Sequence, residues 1–133
     1  MIAATNVTAQ SNLILFLHQR FALVILAYAL IVGLWGLALF LLNRPPAGGF
    51  LGAIVLAEAV VIIQDILGWV LFLGGHRPHD LLHLLYGVVI ALAIPFVWSI
   101  SERGTTRRDS LYLGLTLLFM VAIAVRAIGT GSA

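Results

Sequence analysis

Four long apolar runs, separated by three short polar connectors, constrain this chain more than any single motif does. They cover about residues 13–42, 50–73, 80–100 and 110–128. A run of roughly 18 or more apolar residues has the length and solvent preference of a bilayer-crossing helix. Hydrophobic residues make up 62% of the chain and charged ones 9%, too few charges to clothe a water-soluble domain of this size. The expected fold is all-α: one four-helix transmembrane domain over residues 1–133. Because the connectors are short, the helices are predicted to run up-down-up-down as an antiparallel bundle.

The connectors are well marked. "NRPPAGG" (43–49) and "GGHRPHD" (74–80) carry the prolines and glycines that stop one helix and start another, and "SERGTTRRDS" (101–110) is the most polar stretch. Pro95 should bend the third helix near its end. The first 12 residues lack the basic region of a secretory signal, so the first helix is expected to be retained. There is no cysteine, which excludes disulfides and thiolate metal sites. All seven basic residues are arginines scattered over connectors and helix ends, a pattern unlike a nucleic-acid surface. Arg44, Arg103, Arg107 and Arg108 fall on one side; Arg20, Arg77 and Arg126 fall on the other, two of them inside apolar runs. The positive-inside rule then predicts a multi-pass cell-membrane protein with both termini and the 74–80 connector extracytoplasmic.

Three of the four histidines, His76, His79 and His83, lie in or beside one connector; the fourth, His18, opens the first span. In "LHQRFALVILAY" His18 is followed four residues later by Ala22, and in "LHLLYGVVIALA" His83 is followed four residues later by Gly87. Each histidine therefore has a small residue one turn deeper on its own face. In an antiparallel bundle the first and third helices are parallel, so both imidazoles should sit at one depth, about a turn inside their helix ends. Two such imidazoles suit a haem iron, with small residues leaving room for the porphyrin. The competing reading is that each is an interfacial polar residue. His76 and His79 read as solvated, although His79 could replace His83 if the helix begins early, and a copper or zinc site from His76, His79 and His83 is a further option.

The second span carries Glu58, Gln64 and Asp65. Glu58 and Asp65 are seven residues apart, on one face that should point inward. A carboxylate inside the bilayer is costly, hence a candidate proton or quinone site. The plainer reading is an ion pair with Arg20 or Arg126 that fixes packing; alternatively Arg20, Arg77 or Arg126 holds haem propionates at the outer surface. Gly33, Gly36 and Gly52 are expected to allow close helix contact.

"HQRFA" (18–22), "IIQDILGWVL" (62–71) and "HLLYG" (83–87), in this order, resemble one half of the haem A synthase family, over roughly residues 15–95. There a helix opening on His-Arg-like residues precedes a Gln-x-x-Leu-Gly helix and a second helix opening on His. The pattern falls here on His18, then Gln64, Leu67 and Gly68, then His83. The resemblance implies that His18 and His83 ligate an extracytoplasmic haem. The family has two such halves, a carboxylate just upstream of a catalytic-half histidine, and in many bacterial members a cysteine pair; none of these is found here. Haem b binding is therefore implied, and haem A synthesis by this chain alone is not.

Two function classes follow. One is a b-type haem protein with bis-histidine ligation, serving electron transfer, haem handling or oxidase assembly, with the bilayer and a quinone or respiratory-complex subunit as partners. The other is a non-catalytic accessory subunit or assembly factor without cofactor, its polar residues forming internal contacts. A quinone- or proton-linked carrier built on Glu58 and Asp65 is a third possibility.

Overall fold

The computed structural model describes residues 1–131. Helices α1 (Ile2–Leu41), α2 (Gly48–Leu73), α3 (Leu82–Ile100) and α4 (Arg107–Gly131) follow one another through short connectors, and each is long and apolar enough to cross a membrane. Helix α1 packs against α2 and α4, and α3 against the same two, so α1 and α3 lie diagonally across a four-helix membrane bundle.

Helix α1 differs most from the sequence expectation. It begins at Ile2 rather than near residue 13 and is 40 residues long, about 60 Å at 1.5 Å per residue, against a hydrocarbon core of roughly 30 Å. Residues 2–12 hold no glycine or proline, and their hydroxyls bond back to carbonyls one turn earlier: Thr5 to Ile2 at 2.8 Å, Thr8 to Ala4 at 2.9 Å, Ser11 to Thr8 at 2.9 Å. Polarity thus places the end of the apolar span without ending the helix. His18 consequently lies several turns into its helix rather than one. Helix α3 starts at Leu82, where the Asp80 carboxylate accepts from the Leu82 N–H at 2.9 Å, and it continues through Pro95.

The connectors close by backbone chemistry readable in their residues. Asn43 and Gly75 adopt positive φ (58° and 94°). The following N–H groups reach back five residues, Arg44 to the Leu39 carbonyl and His76 to the Leu71 carbonyl, each at 2.9 Å, which is how a Schellman end satisfies its carbonyls. In the third connector the buried Asp109 carboxylate accepts four backbone N–H groups, from Glu102, Gly104, Thr105 and Thr106, at 2.9–3.2 Å.

The core occupies the end of the bundle that holds the first and third connectors. Leu113, Leu117 and Met120 of α4 are fully buried against Phe50, Ile54 and Val61 of α2 and Ile25, Ala29 and Val32 of α1. Helix α1 meets α4 backbone to backbone: a Cβ on Gly36 would come within 2.7 Å of the Gly114 Cα, and one on Gly33 within 3.2 Å of the Gly114 carbonyl. Gly52, expected to do the same, has nothing within 4 Å of its Cβ position and is exposed; small size in sequence did not reveal which face it occupies. Tight packing at one end leaves the histidine end less filled.

Candidate functional site

At that end lies a cavity of about 310 Å³ among all four helices, at the lower limit of typical ligand pockets. Its wall is largely apolar, interrupted by His18 and Gln19 of α1, Gln64 and Asp65 of α2, and His83 of α3. His18 and His83 come from diagonal helices, yet their rings meet across the bundle with centroids 5.9 Å apart and planes at 71°.

Each imidazole is seated on a neighbouring helix. Gln64 donates from Nε2 to the His18 carbonyl at 2.8 Å. One turn on, a Cβ on Gly68 would lie 3.1 Å from His18 Cε1. Gln64 and Gly68 thus hold the backbone and leave room for the ring of one residue, a physical reason for their four-residue spacing. His83 Nδ1 lies 2.7 Å from the Ala127 carbonyl. A carbonyl only accepts, so the Nδ1 carries the proton and the Nε2 lone pair is left for another partner. A Cβ on Gly131 would meet His83 Cε1 at 2.6 Å and Nδ1 at 2.8 Å, so the ring lies on bare backbone.

Ala22 and Gly87, the small residues one turn below the histidines, both line the cavity. The space over Gly87 is already used, however: Asp65 Oδ1 stands 3.1 Å from its Cβ position. Among the described residues three buried side-chain polar atoms have no hydrogen-bond partner: His18 Nδ1, Gln64 Oε1 and Glu58 Oε2. Glu58 is half-buried and sits outside the cavity wall. The expected ion pairs do not form. Arg20 and Arg126 are exposed, the Arg20 guanidinium lies over the Phe16 ring at 5.2 Å, and neither is paired with a carboxylate among the described residues. Helix α2 faces its acids inward, whereas both arginines point away from the bundle.

His76 and His79 are exposed in the second connector, and Arg77 lies over the Phe72 ring. Because α3 begins at Leu82, His79 is not on the helix and does not share the face of His83. Among the described residues no three His, Cys, Asp or Glu side chains gather as a metal cluster, so His76, His79 and His83 are not brought together. Sequence reasoning missed Ala124, Ala127 and Gly131, which line the cavity from α4; their spacing of three and four, all small, was the available signal. Compared with known proteins, the chain matched no family model, no characterised protein and no solved structure.

Proposed function

We propose that this protein is an integral membrane protein that holds one b-type haem between His18 and His83. The observation that carries the reading is the meeting of two imidazoles from diagonal helices inside a largely apolar cavity. His18 and His83, with ring centroids 5.9 Å apart, would be the two residues to hold a haem iron between them. The donor set fits in a second respect: a ligating histidine commonly donates its other N–H to a carbonyl, as His83 does to Ala127. The unpartnered His18 Nδ1 and the glycine seats under both rings belong to a site shaped around the imidazoles.

Held by these two imidazoles, a haem would supply one-electron transfer. In this reading His18 and His83 bind, Gln64 and Ala127 orient them, Gly68 and Gly131 make space, and Ala22 and Gly87 form the wall, whereas Arg20 and Arg126, expected to hold propionates, point away from the bundle. Glu58 and Asp65 are the groups that can hold a proton near the site. The arginine distribution sets the site toward the extracytoplasmic face. The roles that fit are electron transfer, haem handling or oxidase assembly beside a quinone or a respiratory-complex subunit.

The test is the visible spectrum of protein purified from a haem-replete membrane, oxidised and dithionite-reduced. One haem per chain, with a sharp reduced α band, is expected; the absence of Soret and α bands would return His18 and His83 to internal polar contacts in a cofactor-free accessory subunit.

A further inference from the structure

Helix α4 turns one face into the core and leaves a stripe of the opposite face uncovered. At about 100° per residue, Tyr112, Leu115 and Phe119 all fall within roughly 40° of Arg108, and the three are 44–49% exposed. The buried Leu113, Leu117 and Met120 lie on the far side of the helix. The apolar run of α4 begins near residue 110, so the stripe sets a cation just outside the hydrocarbon and apolar side chains within it. From Arg108 to Phe119 the helix rises about 16 Å, close to the ~15 Å of hydrocarbon in one leaflet.

At the polar end of the stripe lies a recess of about 590 Å³, lined by Arg107, Arg108 and Tyr112 of α4 with Phe40, Glu102 and Thr106 beside them. Arg107 is set in place from two directions: its Nε donates to the Phe40 carbonyl at 2.8 Å, and its guanidinium lies 4.0 Å over the Phe40 ring. Its two Nη groups remain as donors, and among the described residues no carboxylate pairs with Arg107 or Arg108. This end of the bundle holds Arg44, Arg103, Arg107 and Arg108 against Glu102 and Asp109. The Asp109 carboxylate is buried and already accepts four backbone N–H groups, which leaves the exposed Glu102 outnumbered. The recess thus offers an anion a pre-oriented guanidinium in a positive field. Deeper in the membrane a groove of about 280 Å³ between α3 and α4 is lined by Phe96 and Val97 and by Leu115 and Phe119 of the same stripe.

We propose that the outer face of α4 binds one anionic phospholipid, its phosphate on Arg107 and Arg108 and one acyl chain along Tyr112, Leu115 and Phe119 into the groove beside Phe96. The site does not depend on haem. A soluble anion would use the recess and leave the apolar stripe bare. A zwitterionic lipid would bring its own cation into the field of four arginines. A lipid of net negative charge matches both halves, and the fixed position of Arg107 lowers the ordering cost of holding its headgroup.

The site is tested by native mass spectrometry of the full chain in mild detergent, titrated with dioleoyl phosphatidylglycerol or dioleoyl phosphatidylcholine. The wild type should retain one phosphatidylglycerol per chain, at least about tenfold more tightly than phosphatidylcholine. The double variant Arg107→Gln, Arg108→Gln should weaken phosphatidylglycerol binding by about thirtyfold, the factor for ~2 kcal/mol at ~1 kcal/mol per arginine. The double variant Arg44→Gln, Arg103→Gln removes the same charge at the same end but outside the recess, and should weaken binding by no more than about fivefold, since exposed charges farther from the phosphate are screened. Equal losses in the two double variants would mean diffuse attraction and overturn the site. Glycerol 3-phosphate bound as tightly as phosphatidylglycerol would overturn the lipid, because the stripe would then contribute nothing. Should the Arg107, Arg108 variant fail to fold, equal affinity of the wild type for the two lipids overturns the proposal by itself.

Discussion

The α1–α4 seam makes the sharpest structural prediction, because two glycines that look alike in sequence occupy opposite environments. A Cβ on Gly36 would stand 2.7 Å from the Gly114 Cα and 3.0 Å from its N, whereas carbon atoms rest at about 3.5–4.0 Å. The shortfall is roughly 1 Å, and the obstructing atoms are backbone, which cannot swing away as a side chain can. Gly36→Ala must therefore push α1 from α4, at about 1–3 kcal/mol for an overpacked interface, offset by up to ~1 kcal/mol of helix propensity. Gly52→Ala meets nothing within 4 Å and keeps only the propensity gain. The two variants should differ by about 2 kcal/mol, or roughly 8 °C in Tm for a chain of this length. Thermal unfolding in one mild detergent, followed by circular dichroism, measures the difference. Equal melting of Gly36→Ala, Gly52→Ala and wild type would refute backbone contact at Gly36; equal destabilisation of both would refute the open environment of Gly52.

Three more predictions concern single groups. Asp109→Ala removes the buried acceptor for four N–H groups of the third connector; it should cost roughly 3 kcal/mol, and an unchanged melting temperature would deny that the carboxylate organises this connector. Glu58→Leu deletes a buried oxygen that has no partner and should stabilise the bundle by about 1–3 kcal/mol, so a comparable loss would reveal an interaction for Glu58. Gly68→Ala and Gly131→Ala would press a methyl onto His18 and His83 at 3.1 and 2.6 Å. Each should weaken haem binding about 10–100-fold, as loss of a ligand's supporting contacts does; full affinity in a haemin titration of either variant would show that its ring does not depend on the glycine seat.

Which features were legible from sequence follows from the physics behind each. The four spans were, because the bilayer demands about 20 apolar residues and nothing else in the chain competes with that signal. The start of α1 was not: hydropathy reports where hydrocarbon lies, whereas Thr5, Thr8 and Ser11 keep the helix going by bonding to their own backbone. The meeting of His18 and His83 could be anticipated from parallel helices, although His18 owes its place to the length of α1 rather than to a helix end. Gly68 stood within a quoted pattern without a role, because its role is the ring of a residue 50 positions earlier. Arg20 and Arg126 invited pairing with Glu58 and Asp65 by charge alone, but helix faces turn the arginines outward and the acids inward. Asp65 over Gly87 is a contact between helices that no spacing within either helix encodes.

The central claim is that His18 and His83 together hold a haem, and the most direct measurement is the reduced-minus-oxidised spectrum of four single variants purified alongside the wild type. His18→Ala and His83→Ala should each lose the low-spin α band, while His76→Ala and His79→Ala, altered in the exposed connector, should keep it at wild-type intensity. An α band that survives in His18→Ala or His83→Ala, or that disappears in His76→Ala or His79→Ala instead, would contradict the assignment.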